Sequence, residues 1–371
     1  MSEYDGKQFV GIDLHRHRSV IVRQTADGQQ LGVVRIANDP IALGLEITQA
    51  GEHPDVVLEA TYGWYWAADV LAEAGAHVHL AHPLGIKGFT YRRVKNDVRD
   101  AGDLADLLRM GRLPQAWIAP PATRELRELV RHRAKLVALR SGLKAGVHAV
   151  LAKQGLHIPV TDLFGVRGRH LLAQAPLDGA YRARVNSLCR LLDALDFEID
   201  AVAQRVAGDL ARHPGYLAIQ QIPGVGVTLA AIFVAEIGDV HRFASAWHLC
   251  SWAGLTPRHR ESDTTVHRGR ITKQGSTLVR WAAVEAAQKT PASAGWLVRA
   301  RAGIAERRGR NIAAVAVAPH AAHPRLPRPA RRAHPRPDPG PAGGGVSGFG
   351  RDRARGRHSS DPHPQVARPP L

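Results

Sequence analysis

Short apolar runs separated by turn-forming residues characterise the first 118 residues of the chain. Turn signals such as Asp27-Gly28 stand between the first runs, which is typical of a β-meander. Later runs alternate with segments of helical spacing, and this order predicts a mixed α/β sheet. The predicted strands are 9–13, 19–25, 31–37, 55–59 and 77–81, and the predicted helices are 41–50, 64–74 and 100–112.

Helical spacing dominates the middle region, 119–213, which Pro120-Pro121 opens because neither residue continues a strand or a helix interior. Thr123 is the predicted N-cap of a long helix that ends at about residue 154. The segment 155–180 connects it to the next helix and holds one short helix. Over 185–206, apolar residues alternate spacings of three and four, which predicts a coiled-coil seam. The seam pairs either with the preceding helix or with another subunit.

Cationic residues crowd the long predicted helix of the middle region. Two interpretations carry equal weight, a solvated helix face and a contact with the backbone of a nucleic acid. The residues are Arg124, Arg127, Arg131, Arg133, Lys135, Arg140 and Lys144.

The C-terminal region, 214–318, is predicted to be mainly α-helical. Its segment 222–228 reads Ile-Pro-Gly-Val-Gly-Val-Thr, which is typical of a helix-hairpin-helix turn. Backbone N–H groups at Gly224 and Gly226 can approach a phosphate there, because no Cβ stands in the way. The alternative is a tight turn between two packed helices. The run 253–263 then continues as a basic, polar loop through Lys273, which precedes a further helix.

The composition changes abruptly in the last 53 residues, 319–371. They hold 12 of the 24 prolines, ten arginines, three aspartates and no lysine. Such a segment cannot bury a core, so we expect it to be disordered. One hypothesis is a basic arm that binds nucleic acid nonspecifically. The second is a frameshift near residue 318, since out-of-frame reading of a GC-rich gene yields Arg, Pro, His, Ala and Gly. An absence of an apolar helix from the other two reading frames would refute the frameshift.

The net charge of the chain indicates which class of molecule it binds. Its 371 residues carry 50 Lys and Arg against 33 Asp and Glu, a formal net charge of +17. This excess favours a polyanion, either nucleic acid or an anionic membrane surface. Cys189 and Cys250 match neither a metal-ligand spacing nor a disulfide framework, which favours a reducing cytoplasm. Neither a signal peptide nor a membrane-spanning run is expected.

Carboxylates at the ends of predicted strands are the main chemical signal. Asp13 and Glu59 each end an apolar strand, and if those strands are parallel neighbours, both acids emerge where α/β sheets bind ligands. Asp97 and Asp100 stand three residues apart on one face of a predicted helix, near its start. Four carboxylates suit Mg²⁺ or Mn²⁺, and two such ions can clamp a phosphoryl displacement. The alternative for the helical pair is an acidic N-terminus that complements the helix macrodipole.

Three motifs together resemble the insertion-sequence-110 family of transposases. They are Gly11-Ile12-Asp13-Leu14-His15, Leu58-Glu59-Ala60-Thr61-Tyr62-Gly63 and Lys95-Asn96-Asp97-Val98-Arg99-Asp100-Ala101. The resemblance covers roughly residues 8–318 and implies an RNase-H-like (RuvC-like) fold for the first region. It also implies that a DEDD tetrad holds the metal, and the tetrad consists of Asp13, Glu59, Asp97 and Asp100. Asn96 stands where the family more often has threonine.

The basic loop gathers five cations around Ser262, and they are Arg258, Arg260, Arg268, Arg270 and Lys273. Such a group suits a phosphodiester near a nucleophile, since the cations would stabilise the charge that develops in transfer. The alternative is a phosphate-positioning loop with an ordinary serine. By the resemblance, Ser262 is the nucleophile that joins covalently to DNA, and Ser245 and Ser251 are weaker candidates. A glycine usually follows this serine in the family, and here Asp263 does.

The resemblance implies a DNA transposase or recombinase of an insertion sequence, associated with the bacterial nucleoid. It further implies an element-encoded guide RNA and a homo-oligomer, either a dimer or a tetramer. Two alternatives stay open: a metal-dependent junction-resolving nuclease, and an inactive nucleic-acid-binding remnant. An actin-like sugar kinase also begins with a Gly-Ile-Asp strand, but it needs a pair of glycine-rich phosphate loops, and no convincing pair is present.

Overall fold

The computed structural model of the protein describes residues 4–89, 96–263 and 265–322. The basic residues Arg92, Arg93 and Lys95 and the tail from residue 323 lie outside the described residues. The disorder of the tail and its frameshift therefore stay predictions, and the domain boundaries stay predictions as well.

A six-stranded mixed sheet forms the N-terminal region, as the pattern of apolar runs predicts. Its strands are β1 (Phe9–Leu14), β2 (Arg18–Gln24), β3 (Gln30–Ala37), β4 (Asp55–Glu59), β5 (His77–Ala81) and β6 (Gln115–Ala116), in the order β3-β2-β1-β4-β5-β6. The first three strands pair antiparallel, whereas β1, β4 and β5 are parallel neighbours. The two-residue β6 pairs antiparallel with β5 and is too short for a periodic signal in the sequence.

Helices cover both faces of this sheet, and they are α1 (Pro40–Thr48), α2 (Trp64–Glu73), α3 (Pro83–Ile86) and α4 (Asp97–Arg109). Val10 and Ile12 of β1 face α1 and α2, where they join a buried cluster with Leu43 and Leu71. Successive side chains of a strand point to opposite faces. The alternate positions of β1, Phe9, Gly11 and Asp13, therefore face α4, which packs against β1, β2 and β4.

The backbone of α4 lies directly on β1 at Gly11. A Cβ at Gly11 would overlap the carbonyl oxygen of Ala101 and lie 2.9 Å from the nitrogen of Ala105. Only glycine permits this approach without a shift of helix or strand. The contact brings the N-terminal end of α4 to the carboxyl end of β1, since Asp97 lies beside His15 just past that strand.

Two long antiparallel helices form the middle region, and they are α5 (Pro121–Lys153) and α7 (Gly179–Leu210), with α6 (Val166–Gln174) between them. They pack against each other, so the predicted seam pairs with the preceding helix of the same chain. Every seventh residue of the seam is buried, namely Val185, Leu192, Ile199 and Val206. Thr123 is not the N-cap of α5, because Pro121 already starts the helix and Pro120 caps it.

Four of the seven cationic residues of α5 bind other parts of the chain, namely Arg124, Arg127, Arg131 and Arg140, whereas Lys135 is exposed. Arg124, 4% exposed, donates to Asp69 of α2 at 2.5 Å and stacks on Tyr65. Arg140 donates to Asp196 of α7 at 2.7 Å. A dense charge pattern in a sequence does not show whether the partners are solvent, phosphate or the protein's own acids.

Within its described residues, the C-terminal region adds six α-helices and an exposed hairpin. The elements are α8 (Pro214–Gln220), α9 (Val227–Ile237), α10 (Ala246–Trp252), β7 (Pro257–Ser262), β8 (Thr265–Ile271), α11 (Thr277–Lys289), α12 (Trp296–Arg308) and α13 (Arg310–Ala322). The apolar α9 lies at the centre of a buried cluster with α11 and α13. Among the described residues, no helix has the length and apolar character that a membrane span needs.

Arg127 and Arg131 of α5 fasten that helix to the C-terminal end of α9. Arg127 donates to the carbonyls of Ala235 at 2.8 Å and Glu236 at 2.9 Å. Arg131 donates twice to the Glu236 carboxylate, at 2.7 and 3.1 Å. Burial lowers the pKa of Arg127, whereas its hydrogen bonds to Glu236 raise the pKa of Arg131. Cations at a helix C-terminus also complement the macrodipole of α9.

Most of the predicted basic loop is a β-hairpin that runs from Pro257 to Ile271, so the prediction of a loop was wrong there. Ser262 pairs with Thr265 and Arg260 with His267 across the two strands. All six residues of β7 are exposed. Since neither face is buried, the strands carry no alternation of apolar and polar residues that would have identified them.

We predict that Gly11→Ala destabilises the protein by about 3 kcal/mol, because the added methyl group overpacks a strand against a helix backbone. Gly142→Ala is the matched control: Gly142 lies in α5 with no atom within 4 Å of its would-be Cβ. Gly142→Ala should raise the free energy of unfolding of the protein by about 0.5–1 kcal/mol. Urea denaturation followed by circular dichroism measures both, and equal stability of Gly11→Ala and wild type would contradict the close contact.

Candidate metal centre and nucleic-acid interface

The carboxyl ends of β1 and β4 lie at one edge of the sheet, where Asp13 is the next-to-last residue of β1 and Glu59 is the last residue of β4. Ile12 pairs with Leu58 in the parallel register, so Asp13 and Glu59 are the next residues along adjacent strands. Both share a face with Gly11 and Val57, the face that α4 covers. The chain thus brings two acids from separate strands to the edge where open α/β sheets bind ligands.

Asp97 reaches this edge from α4 and meets a histidine there. Its Oδ2 lies 3.4 Å from His15 Nε2 and 3.4 Å from Arg18 Nη2. His15 Nε2 also lies 3.1 Å from Asp13 Oδ2. Asp97 therefore does more than complement the macrodipole of its helix, because its carboxylate contacts the residues that follow β1.

The N-terminal turn of α4 is set by Asn96. The Oδ1 atom of Asn96 accepts a hydrogen bond from Val98 N at 3.0 Å, and its extended backbone is that of an N-cap. Asparagine and threonine are both good N-caps, which explains physically why asparagine can stand at this position. Asp100 follows Asp97 by three residues, is half-buried, and precedes the Ala101 carbonyl that contacts Gly11.

Ligand atoms of Asp13, His15 and Asp97 all lie within 4.8 Å of one another. Two carboxylate oxygens and one imidazole nitrogen form a donor set that fits a divalent first-row cation. The Nε2 atom of His15 is buried and makes no hydrogen bond among the described residues, and its polar neighbours there are the carboxylates of Asp13 and Asp97. These three residues therefore fit a metal ion, and Glu59 and Asp100 border the same edge.

His15 and Arg18 are the site residues that the sequence reasoning missed. His15 belongs to the first motif and stands two residues after Asp13, the spacing that puts two strand residues on one face. That spacing was a usable signal. Arg18 carries no such signal, because its contact with Asp97 spans 79 residues of sequence.

The serine motif lies on the separate two-stranded sheet of β7 and β8. Ser262 ends β7 and is exposed. Arg258, Arg260 and Ser262 are every second residue of β7, so their side chains lie on the same face of the strand. The backbone of Arg268, on β8, pairs with that of His259, and Lys273 follows the end of β8.

Asp263 occupies the turn after Ser262 with a φ of 49°. Glycine adopts this left-handed region freely, and aspartate is among the few other residues that enter it readily. A glycine at this position in relatives would thus serve the backbone of the turn. The substitution by aspartate keeps the turn but adds a negative charge next to Ser262.

The base of the hairpin is held by Arg280 of α11. Its Nη1 donates to the carbonyls of Ala253 at 3.2 Å and Gly275 at 3.1 Å, and also to that of Gln274. Burial lowers the pKa of Arg280. Ser245, a weaker nucleophile candidate, is the N-cap residue of α10 and lies 2.8 Å from His248 Nδ1.

The two glycines of the predicted helix-hairpin-helix turn have different surroundings. Gly224 has a φ of 91°, and a Cβ there would overlap the Ala286 carbonyl of α11. Close packing between helices therefore explains this glycine. Gly226 precedes α9, and no atom lies within 4 Å of its would-be Cβ. Of the two, Gly226 is the one whose backbone a phosphate can approach from solvent.

Two protein-family models match the chain. Residues 10–154 match a model described as a transposase, of the DEDD type of IS110, and this range includes β1, β4 and α4. Residues 216–302 match the model of the transposase IS116/IS110/IS902 family, which includes the hairpin.

Curated relatives carry names of the same kind. A "putative transposase y4qE" of Sinorhizobium fredii is 27% identical over 288 residues, covering 75% of this chain and 70% of that protein. A "probable family 20 transposase" of Pseudomonas aeruginosa is 26% identical over 272 residues, 68% of this chain and 77% of its own length. A transposase for the insertion sequence element IS1328 of Yersinia enterocolitica is 24% identical over 291 residues, 75% and 82% of the two chains.

Proposed function

The chain belongs to the IS116/IS110/IS902 family of transposases, and we propose that it cuts and rejoins DNA with a divalent metal ion, Mg²⁺ or Mn²⁺. The proposed ligands are Asp13, Glu59, Asp97 and Asp100. One observation carries the proposal: the carboxylates of Asp13 and Asp97 meet at the carboxyl end of β1, beside the strand that ends in Glu59. Carboxylate oxygens are the ligands that these hard cations prefer.

A bound divalent ion would stabilise the negative charge that develops on a phosphate during strand cleavage. The residues of the chain would hold the ion and orient the phosphodiester against it. Asp13 and Glu59 suit this role because they end adjacent strands of a rigid sheet, and Asp97 and Asp100 because Asn96 and Gly11 fix the position of α4. Sites on such elements are more exact in geometry than sites on loops.

The proposed nucleophile of strand transfer is Ser262. Its Oγ would attack the phosphorus and lose its proton to a base, while the bond from phosphorus to one deoxyribose oxygen breaks. The released oxygen takes up a proton, and the DNA stays joined to Ser262 as a phosphodiester. A deoxyribose hydroxyl of the new partner strand would then attack the same phosphorus and release the serine. Arg258 and Arg260, on the same strand face, would bind the phosphate oxygens.

The exposed hairpin and the start of α9 are the proposed surface for the DNA backbone. Arg258, Arg260 and Arg270 are exposed on the hairpin, Lys273 is exposed just after it, and Arg268 lies on β8. Gly226 presents backbone N–H groups at the N-terminus of α9, where the helix dipole favours an anion. Gly224 supports this turn through its packing on α11.

An element-encoded guide RNA and a second copy of the chain are the further proposed partners. The net charge of +17 supports binding of nucleic acid but does not distinguish RNA from DNA. Exposed Leu191 and Phe197 of α7 support self-association. Target choice that is unaffected by removal of copurified RNA would exclude the guide, and a monomeric mass in light scattering would exclude the oligomer.

We predict that Asp97→Asn lowers the rate of strand cleavage at least about a hundredfold, since a lost metal ligand removes several kcal/mol of charge stabilisation. Cleavage of the element's own ends in Mg²⁺ or Mn²⁺ measures this rate. Asp106→Asn, on the same helix, is the control: Asp106 pairs with Arg109 at 2.8 Å and lies outside the acidic group. Cleavage by Asp97→Asn at the wild-type rate would remove Asp97 from the site.

We expect Ser262→Ala to abolish the covalent protein–DNA adduct, because no other atom of that residue can attack phosphorus. Denaturing gels of labelled DNA detect the adduct. Ser245→Ala serves as control and as a test of the weaker candidate, and it should retain the adduct. If Ser262→Ala exchanges strands as well as wild type does, a metal-dependent junction nuclease becomes the better assignment. Binding of DNA without any cleavage by the wild type would instead indicate an inactive remnant.

A further inference from the structure

We propose that His15 is a nitrogen ligand of the metal centre and makes the centre select Mn²⁺ over Mg²⁺. This inference rests on the proposed function, because it concerns the same acidic site. It adds a residue outside the four carboxylates, and it changes the class of cation that the site prefers.

The distances around His15 Nε2 are those of neighbouring ligands on one ion. The nitrogen lies 3.1 Å from Asp13 Oδ2 and 3.4 Å from Asp97 Oδ2. With metal–ligand bonds of about 2.1 Å, adjacent ligands of an octahedral ion lie roughly 3 Å apart. A single ion can therefore bind all three atoms after small adjustments of side-chain torsions.

The burial of the imidazole is uneven in a way that suits a ligand. About a third of the side chain is exposed (31%), yet the Nε2 atom is buried against the two carboxylates. It makes no hydrogen bond within the described parts of the chain. The nitrogen that faces the acids is thus shielded from water and directed at the place where an ion would sit.

The backbone of His15 is fixed before any ion binds. Its N–H donates to the Arg18 carbonyl at 3.1 Å, and its own carbonyl accepts from Asn38 Nδ2 at 2.6 Å. Asn38 is itself held by the hydroxyl of the buried Ser19 at 2.7 Å. Residues that orient a metal ligand in this way spare the cost of ordering it on binding.

The donor set determines the preferred cation. Mg²⁺ favours oxygen ligands and retains waters, whereas imidazole is a common ligand of first-row transition metals. A site with one nitrogen among its oxygens should therefore bind Mn²⁺ more tightly than Mg²⁺. The competing role for His15 is that of a positive charge which, like Arg18, balances the acids without an ion. The two roles predict opposite effects of removing the imidazole.

Titration of the full chain with Mn²⁺ alone tests the inference in wild type, His15→Ala and His15→Gln. We expect both variants to bind Mn²⁺ about tenfold more weakly, the effect typical of a disturbed metal site. Mg²⁺ affinity, measured by competition with Mn²⁺, should change less. The control is His17→Ala, because His17 is exposed two residues away and should leave both affinities unchanged.

Paramagnetic resonance of bound Mn²⁺ in protein labelled with ¹⁵N-histidine gives a readout independent of activity. We expect nitrogen coupling in wild type and His17→Ala and its loss in both His15 variants, with thermal unfolding as the check that each variant folds. Unchanged or tighter Mn²⁺ binding in the His15 variants, or no nitrogen coupling in wild type, would overturn the inference.

Asp13→Asn separates this inference from the proposed metal centre. If Asp13→Asn abolishes Mn²⁺ binding while the His15 variants bind as wild type does, the centre stands and the role of His15 falls. If both Asp13→Asn and Asp97→Asn bind Mn²⁺ like wild type, the centre and the inference fall together.

Discussion

The contact between the backbone of α4 and Gly11 of β1 is the constraint on which the acidic edge depends. Because Gly11 has no side chain, the helix rests on the strand itself and runs back along it. This contact places the N-terminal turn of α4 at the carboxyl end of β1, where Asp97 lies close to Asp13 and His15. A helix raised by one methyl group would carry its acids away from the sheet, so the geometry of the site depends on a residue that touches no ligand.

Arginine side chains of α5 connect the middle region of the chain to the N-terminal and C-terminal regions. Arg124 ties the start of α5 to α2, which follows the strand that ends in Glu59, and Arg127 and Arg131 tie the next turns to the end of α9. A planar guanidinium suits these positions because it can donate to two acceptors at fixed angles. Part of the large positive charge of this protein therefore serves its own architecture.

The local pattern of apolar and turn-forming residues was enough to predict the sheet. It was not enough to predict features that depend on residues distant in the sequence. β4 and β5 match their predicted bounds, because each is a short apolar run between turn residues. The hairpin of β7 and β8 was missed because it buries no face. The packing role of Gly224 could not be read from the sequence, since its partner Ala286 lies 62 residues away. The four acids could be named from motifs, and the spacing of His15 from Asp13 was a usable signal, but only the fold shows that Arg18 lies beside Asp97.

The length of the α5–α7 helix pair can be compared with the length of a DNA duplex. A helix of 33 residues is about 50 Å long, and one turn of duplex DNA measures roughly 34 Å. One end of α5 is hydrogen-bonded to α2, and the other carries a small core of its own around Val147, Val150 and Leu163. The two ends of α5 therefore lie about one and a half turns of duplex DNA apart.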